Sequence, residues 1–163
     1  RISIQMGTLS KAAGSFGAYV CGSQDLIDYL INHARSFIYT TGMPPAVAAA
    51  SRASIKIFQE DAALRNRLWD NTRYMHRQLR ECGFDLMQTE TPIIPLLIED
   101  DEKALQLSQQ LFEKGILISA IRPPTVPPNT ARLRLTVTAA HQSEDCEAVV
   151  EQLQNLGRDL CLL

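Results

Sequence analysis

The chain has 163 residues, of which 45% are hydrophobic and 21% charged, and its formal net charge is −2. This composition is typical of a globular protein with one hydrophobic core or parts of two. It shows no basic run that would indicate nucleic-acid binding, and no apolar stretch of about 20 residues that would span a membrane. Because Ile2-Ser3-Ile4 follows Arg1 with the pattern of the middle of a strand, we expect the chain to begin partway through a larger protein.

The first predicted elements are two strands, Ile2–Met6 and Gly17–Cys21, which flank a loop of small residues that contains Lys11. A lysine among glycines and hydroxyl side chains suits a place where the backbone approaches a ligand closely. If the pocket is partly desolvated, its ammonium loses hydration and the free amine becomes a nucleophile for an aldehyde such as pyridoxal phosphate. The alternative is an ordinary loop with an exposed lysine, because Ser/Thr-x-x-Lys is a weak motif by itself.

The next elements are helical, with one exception. Ser23 can cap a helix whose apolar residues between Leu26 and Ala34 fall on one face. We expect Ser36–Thr40 to be a short strand or extended segment. A turn through Thr40, Thr41 and a proline pair then leads into an alanine-rich helix, followed by a long amphipathic helix over Asp61–Cys82.

The remaining elements alternate between strands and helices. We expect strands at Pro92–Ile98, Ile116–Ala120 and Arg132–Thr138, and helices over Asp101–Lys114 and from Ser143 onward. The prolines of the first of these strands indicate an edge strand or a strand start. The fold class is therefore α/β, with residues 1–63 completing a large domain and residues 64–163 forming a small C-terminal domain.

Three arginines near the C-terminus are candidates for binding an anion. Strict alternation places Arg132 and Arg134 on one face of their strand, where two guanidinium groups suit a carboxylate. Arg122 precedes a loop with four prolines, which would hold its side chain ready for an anion. The alternatives are a solvated strand face and a surface arginine beside a rigid turn.

Hydroxyl side chains ahead of a helix are the second set of candidates. Thr40 and Thr41 precede a helix that starts near Pro44, where hydroxyls and free backbone amides suit a phosphate. Simple capping of the helix is the alternative. Thr8, three residues before Lys11, could hold the same phosphate.

The histidines and cysteines carry weaker signals. We expect His76 to be solvated, and a structural hydrogen bond is the favoured role of His141. The cysteines Cys21, Cys82, Cys146 and Cys161 are widely spaced, without a Cys-x-x-Cys pair or a histidine at metal-ligand spacing. We therefore expect no metal site and no disulfide framework, but reduced core cysteines in a cytoplasmic protein.

Five segments together carry a resemblance to a known family. Gly7–Gly17 resembles the cofactor-lysine segment of the α-oxoamine synthases, which are fold-type-I, pyridoxal-phosphate-dependent acyltransferases. Phe37–Pro45 resembles their next landmark. The segments Ala120–Pro127, Thr130–Thr136 and Ala139–His141 are similar to the end of the member that condenses a pimeloyl thioester with L-alanine in biotin biosynthesis. The resemblance covers essentially the whole chain.

The resemblance implies a role for each candidate residue. Lys11 would hold pyridoxal phosphate as a Schiff base and later transfer the substrate proton, and Thr8 would bind the cofactor phosphate. Thr40 and Thr41 would reach the phosphate of the other subunit, because these enzymes are homodimers with shared sites. Arg134 would hold the amino-acid carboxylate, Arg122 would lie near the acyl substrate, and Arg132 is a weaker candidate.

The earlier half of the family's pattern is absent from these residues. That half carries the side chain that stacks on the cofactor ring and the aspartate that pairs with its nitrogen. We therefore expect the 163 residues alone to be inactive or nearly so. The open alternatives are a related enzyme that uses glycine or serine, and a truncated product without catalytic function.

Overall fold

An antiparallel hairpin comes first in the computed structural model, which describes residues 2–163. Its strands are β1 (Gln5–Thr8) and β2 (Ala18–Cys21), with Gln5 opposite Cys21 and Thr8 opposite Ala18. The second strand lies where the sequence predicts it, whereas the first begins three residues later than expected and extends to Thr8. The loop between the two strands carries Lys11 at the end of the hairpin.

Three helices follow the hairpin: α1 (Gln24–His33), α2 (Arg35–Ile38) and α3 (Pro45–Glu60). The Ser23 hydroxyl accepts a hydrogen bond from the Leu26 amide at 3.3 Å, which confirms the predicted cap of α1. The strand predicted over Ser36–Thr40 is wrong. Its apolar residues form one helical turn instead, because the amides of Ile38 and Tyr39 bond to carbonyls four residues earlier.

The rest of the chain forms a three-stranded sheet with helices. The elements are α4 (Ala62–Glu81), β3 (Ile93–Glu99), α5 (Asp101–Glu113), β4 (Ser119–Ile121), β5 (Ala131–Thr136) and α6 (Ser143–Asp159). The strand order is β3-β5-β4, and both pairs are antiparallel. The strand β3 with its prolines therefore lies at an edge of this sheet, as expected.

One face of this sheet builds the hydrophobic core. Leu133 and Leu135 of β5 and Ile94 and Leu96 of β3 point to the same side. They pack in one cluster with buried residues from all three neighbouring helices, namely Met75, Leu79, Ala104, Leu107, Leu111, Cys146, Val150, Leu153 and Leu156. The helices thus cover one face, and the other face carries the outward residues of the strands.

The described chain divides into two compact units, the first ending at Ala62 and the second running over Ala63–Leu163. Their packing differs greatly. The second unit contains the core cluster, whereas in residues 2–62 only Leu9 and Ser51 are buried. The first unit therefore exposes large apolar side chains, such as Phe37 and Tyr39. None of the helices in the described residues is long and apolar enough to cross a bilayer.

Candidate functional site

The loop with Lys11 is closed by backbone hydrogen bonds. The Leu9 amide donates to the Gly17 carbonyl and the Ser15 amide to the Leu9 carbonyl, both at 2.9 Å. The Gly14 amide donates to the carbonyl of Lys11 at 2.9 Å, which makes the lysine part of a tight turn. Gly14 takes a φ of 58°, a left-handed conformation that glycine adopts without strain. The backbone thus defines where the lysine side chain begins.

A second glycine of this loop packs against the segment that leads into α3. Gly17 takes a φ of 94°, and a Cβ atom added there would lie only 2.5 Å from the Met43 methyl carbon. A side chain at this position would require the end of the flexible Met43 side chain to move, and it would be strained by the left-handed backbone. The absence of a Cβ atom therefore permits the close approach of two segments that both carry candidate site residues.

The environment of Lys11 differs from the sequence-based expectation. Its side chain is exposed, so residues 2–163 do not supply the partly desolvated pocket that we expected. The physical reason is the sparse packing of the first unit, where Leu9 is the only buried apolar residue. The roles of Lys11 and Thr8 therefore remain proposals. Both side chains are exposed and accessible to a ligand or to another protein surface.

Thr40 and Thr41 precede α3, as predicted, and both are exposed. The residue that caps α3 is Pro44, and the Val47 and Ala48 amides both donate to its carbonyl, at 3.0 and 3.2 Å. No side chain caps the helix within the described chain, so simple capping by these threonines is not observed. Their hydroxyl groups and the Ala46 amide stay available for an acceptor such as phosphate.

In the second unit, the outer face of the sheet carries Arg132 and Arg134. In the antiparallel register, Arg134 lies opposite Pro95 on one side and Ser119 on the other. Both arginines line a cavity of about 470 Å³ whose other walls are mainly apolar or uncharged. The lining residues are Met87, Gln88, Thr89, Thr91, Ile93, Pro95, Ile121, Thr125, Arg132 and Arg134. The cavity has two positive charges and no carboxylate, which suits an anion.

The two arginines differ in what holds them. Arg132 is half-buried, and its Nε donates to the Thr130 carbonyl at 2.9 Å while a terminal nitrogen lies 3.3 Å from the Met87 sulfur. Arg134 is exposed and has no ion pair or side-chain hydrogen bond within residues 2–163. Arg132 is thus held in place by the protein, while the guanidinium of Arg134 is free to bind a ligand.

Arg122 lies at the edge of the same region. Its side chain is exposed, and its carbonyl accepts a hydrogen bond from the Thr125 amide at 3.0 Å. The Pro123–Pro124 peptide bond that follows is cis. The loop is thus an ordered turn, as the prolines predict. Its residues Ile121 and Thr125 line the arginine cavity, whereas Arg122 is not among the lining residues.

The structure tests the predictions for His141 and His76. The Thr138 amide donates to Nδ1 of His141 at 3.3 Å, and Asn71 donates to the His141 carbonyl, which confirms a structural role. The prediction of a solvated His76 is wrong. The residue is half-buried, and its Nε2 is buried without a hydrogen-bond partner in the described chain.

The four cysteines are free thiols in the structure. Cys146 is buried in the core, and burial together with Asp145 and Glu147 raises its pKa. The prediction of core cysteines is wrong for Cys21 and Cys161, which are exposed. Their apolar neighbours in the sequence lie on open surface, so the local pattern could not distinguish them from core positions.

Comparison with known proteins gives consistent matches over the whole chain. The family model of class I and II aminotransferases matches residues 2–153. The 8-amino-7-oxononanoate synthase of Thermoanaerobacter pseudethanolicus is 45% identical over 163 residues, and that of Geobacter metallireducens is 47% identical over 161 residues. The matched regions are 100% and 98% of this chain but only 41% of each relative.

Solved structures agree on the fold. The serine palmitoyltransferase of Sphingomonas wittichii has a TM-score of 0.94 at 29% identity, with 99% of this chain and 41% of that chain covered. A structure of SPT with its PLP internal aldimine has the same TM-score at 30% identity, with 99% and 41% covered. The 8-amino-7-oxononanoate synthase of Francisella tularensis has a TM-score of 0.85 at 27% identity, with 96% and 46% covered. The predicted fold class, part of a fold-type-I transferase, is confirmed.

Proposed function

Since this chain belongs to the class I and II aminotransferase family, we propose that it is part of a pyridoxal-phosphate-dependent 8-amino-7-oxononanoate synthase. The reaction would join a pimeloyl thioester to L-alanine and release carbon dioxide and the thiol carrier. The observation that carries this choice is the 45% identity, over the whole chain, with the relative of that name. The chain spans about 41% of that relative's length, so we assign the activity to the whole enzyme.

The donor set of the first unit fits the proposed cofactor. Lys11 offers an exposed primary amine on a closed loop, which suits the aldehyde. Thr8, Thr40 and Thr41 offer exposed hydroxyl groups, and the start of α3 offers the Ala46 amide, which suit a phosphate. We include in the proposal that residues 1–63 belong to the large domain and residues 64–163 to the small one.

Bound pyridoxal phosphate would supply an electron sink for the carbanion that forms at the α-carbon of alanine. Lys11 holds the cofactor and then takes the α-proton on its amine, because one nitrogen can serve both tasks in turn. The closed loop limits where that nitrogen can reach, since three backbone hydrogen bonds hold its turn. The loop therefore restricts the positions from which the amine can take the proton.

The second unit binds the carboxylate of the substrate. Arg134 projects from the outer face of β5 with no protein partner, so its guanidinium can bind the carboxylate with two hydrogen bonds. Arg132 supports the same cavity from behind through Thr130 and Met87. Arg122, beside the cavity on its proline loop, would lie near the acyl group.

Two further features belong to the proposal. The exposed apolar side chains of the first unit fit a homodimer in which Thr40 and Thr41 reach the partner's cofactor phosphate. By the same reasoning, the 163 residues alone would turn over little or no substrate, because they cover 41% of the relatives and leave Lys11 open to water. Unpaired cysteines fit a location in the cytoplasm.

The test uses the whole enzyme at the length of its relatives, with the 163-residue chain as a second sample. We expect carbon dioxide release from L-alanine with pimeloyl-coenzyme A or the pimeloyl acyl carrier protein, and much less from glycine or serine. The short chain should show neither turnover nor the visible absorbance of a lysine-bound cofactor. No product from alanine with either thioester would refute the assignment, and turnover by the short chain would refute its incompleteness.

A second candidate is a related acyltransferase that uses serine or glycine. The TM-score of 0.94 with a serine palmitoyltransferase favours it, since that value exceeds the 0.85 found for the Francisella tularensis enzyme. The sequence identity is lower, however, at 29% against 45% for the oxononanoate synthase relative. A preference for serine in the assay above would select this candidate.

A further inference from the structure

We propose that Ser15 and Ser51 act together as positioning residues that hold the Lys11 loop against helix α3. This inference rests on the proposed function, because it concerns how the enzyme places its lysine. The two hydroxyl oxygens lie 2.7 Å apart, and they join the loop to the helix over 36 positions of sequence. Neither serine is among the candidate residues that the sequence indicates.

The burial of Ser51 singles it out. It is 6% exposed, and it is the one buried polar residue among residues 2–62. A buried hydroxyl is costly unless it forms a hydrogen bond. The only other buried residue of residues 2–62 is Leu9, which belongs to the lysine loop. Ser51 is thus a buried polar residue whose hydrogen-bond partner, Ser15, lies on that loop. The buried contacts of the first unit are therefore concentrated on fixing the lysine loop.

Two contacts hold the Ser15 hydroxyl against α3. A serine within a helix usually donates to the carbonyl four residues earlier, which for Ser51 is Val47. Here Ser15 donates to the Val47 carbonyl at 3.4 Å, and a carbonyl oxygen can only accept. The Ser15 and Ser51 oxygens share the hydrogen bond at 2.7 Å, in which either hydroxyl can be the donor. Ser15 is thus inserted between a helical serine and its usual acceptor.

The serine contacts link the position of α3 to that of Lys11 through the backbone of the loop. The Ser15 amide donates to the Leu9 carbonyl, and the Gly14 amide, one residue earlier, donates to the carbonyl of Lys11. Fixing the Ser15 side chain therefore fixes the backbone turn from which Lys11 projects. Val47 lies in the first turn of α3. The serine pair thus sets the position of the Lys11 turn relative to the start of α3.

The experiment uses four variants of the whole enzyme: Ser51→Ala, Ser15→Ala, the double variant, and Ser54→Ala as a matched control on the same helix. The first readout is the labelling rate of Lys11 by pyridoxal phosphate with cyanoborohydride, normalised to Lys56. The second is amide hydrogen exchange of the segment 8–17 in cofactor-free protein. Chemical denaturation gives the stability of each variant.

We expect Ser51→Ala and Ser15→Ala each to slow Lys11 labelling about fivefold, the value of one hydrogen bond, and to speed exchange in segment 8–17. The double variant should resemble either single variant, because both remove the same interaction. Ser54→Ala should behave as wild type, and Ser51→Thr should restore part of the rate.

Lower stability without slower Lys11 labelling would overturn the inference, since it would give the serines a purely structural role. Additive effects in the double variant would also overturn it. A wild-type enzyme in which Lys11 is not labelled at all would instead refute the proposed function. The two failures are therefore distinguishable in one set of measurements.

Discussion

Replacing Arg134 by methionine separates ligand binding from stability. The side chain is exposed and has no partner within residues 2–163, so its removal should change the free energy of unfolding by less than about 0.5 kcal/mol. Hydrogen bonds to a charged group contribute about 1.5–3 kcal/mol. If Arg134 binds the substrate carboxylate, the KM for L-alanine should therefore rise about 10- to 150-fold. Methionine keeps much of the length of the side chain while removing its charge.

Arg132→Met is the matched control on the same strand face. It removes the hydrogen bond to Thr130 and the contact with Met87, so we expect about 1 kcal/mol less stability and a small change in KM. Steady-state kinetics of the whole enzyme and urea denaturation measure both quantities. Equal increases in KM for the two variants would refute the distinction that we draw between a free and a held arginine. An unchanged KM in Arg134→Met would remove that residue from the site.

Three other variants test the remaining features. Lys11→Ala should abolish the visible absorbance of the bound cofactor and lower turnover by a factor of about 10² to 10⁴ or more, whereas turnover within tenfold of wild type would exclude the proton-transfer role. Asn71→Ala removes two hydrogen bonds to backbone carbonyls, at 3.1 and 3.0 Å, and should lower the free energy of unfolding in urea by about 1–3 kcal/mol. The exposed Asn66→Ala on the same helix should leave that free energy nearly unchanged, and equal losses would contradict the reasoning. Because burial raises the pKa of Cys146 above its ordinary 9.0, the folded state keeps that proton when the unfolded state has lost it, so stability should fall as the pH rises above 9.0. Urea midpoints from pH 7 to 10 should show a smaller decline in Cys146→Ala, and an equal decline would assign the effect to other groups.

The elements with a clear periodic pattern could be predicted from the sequence. In β5, alternation places Leu133 and Leu135 inward and Arg132 and Arg134 outward, and the structure agrees because one face of the sheet packs against helices. The helices with one apolar face were also predictable, since their pattern repeats over several turns. For the candidate site, the residue types and their order along the chain could be predicted.

Features that depend on distant partners could not be predicted. The Phe37 segment is apolar enough for a strand, but it has no strand to pair with and forms a helical turn instead. Ser51 is one of two serines in an alanine-rich helix, and only its contact with Ser15 distinguishes it from Ser54. Asn71 and Met87 gain their roles from carbonyl and guanidinium groups that lie 45 or more positions away in the sequence.

The difference in packing between the two units explains why the two halves of the proposed chemistry depend differently on the rest of the enzyme. Arg134 projects from a strand whose opposite face is fully packed, so its starting position is set within the second unit. Lys11 projects from a loop held by backbone hydrogen bonds and one pair of serines, in a unit with almost no core. To bind an anion, a guanidinium group needs a fixed position and direct contact with the ligand. A lysine that must lose its proton needs an environment that removes water from its amine as well. The described residues supply the first requirement for the arginine, but they do not supply desolvation for the lysine. Under the proposed function, the desolvation of Lys11 would come from protein surface outside the described residues.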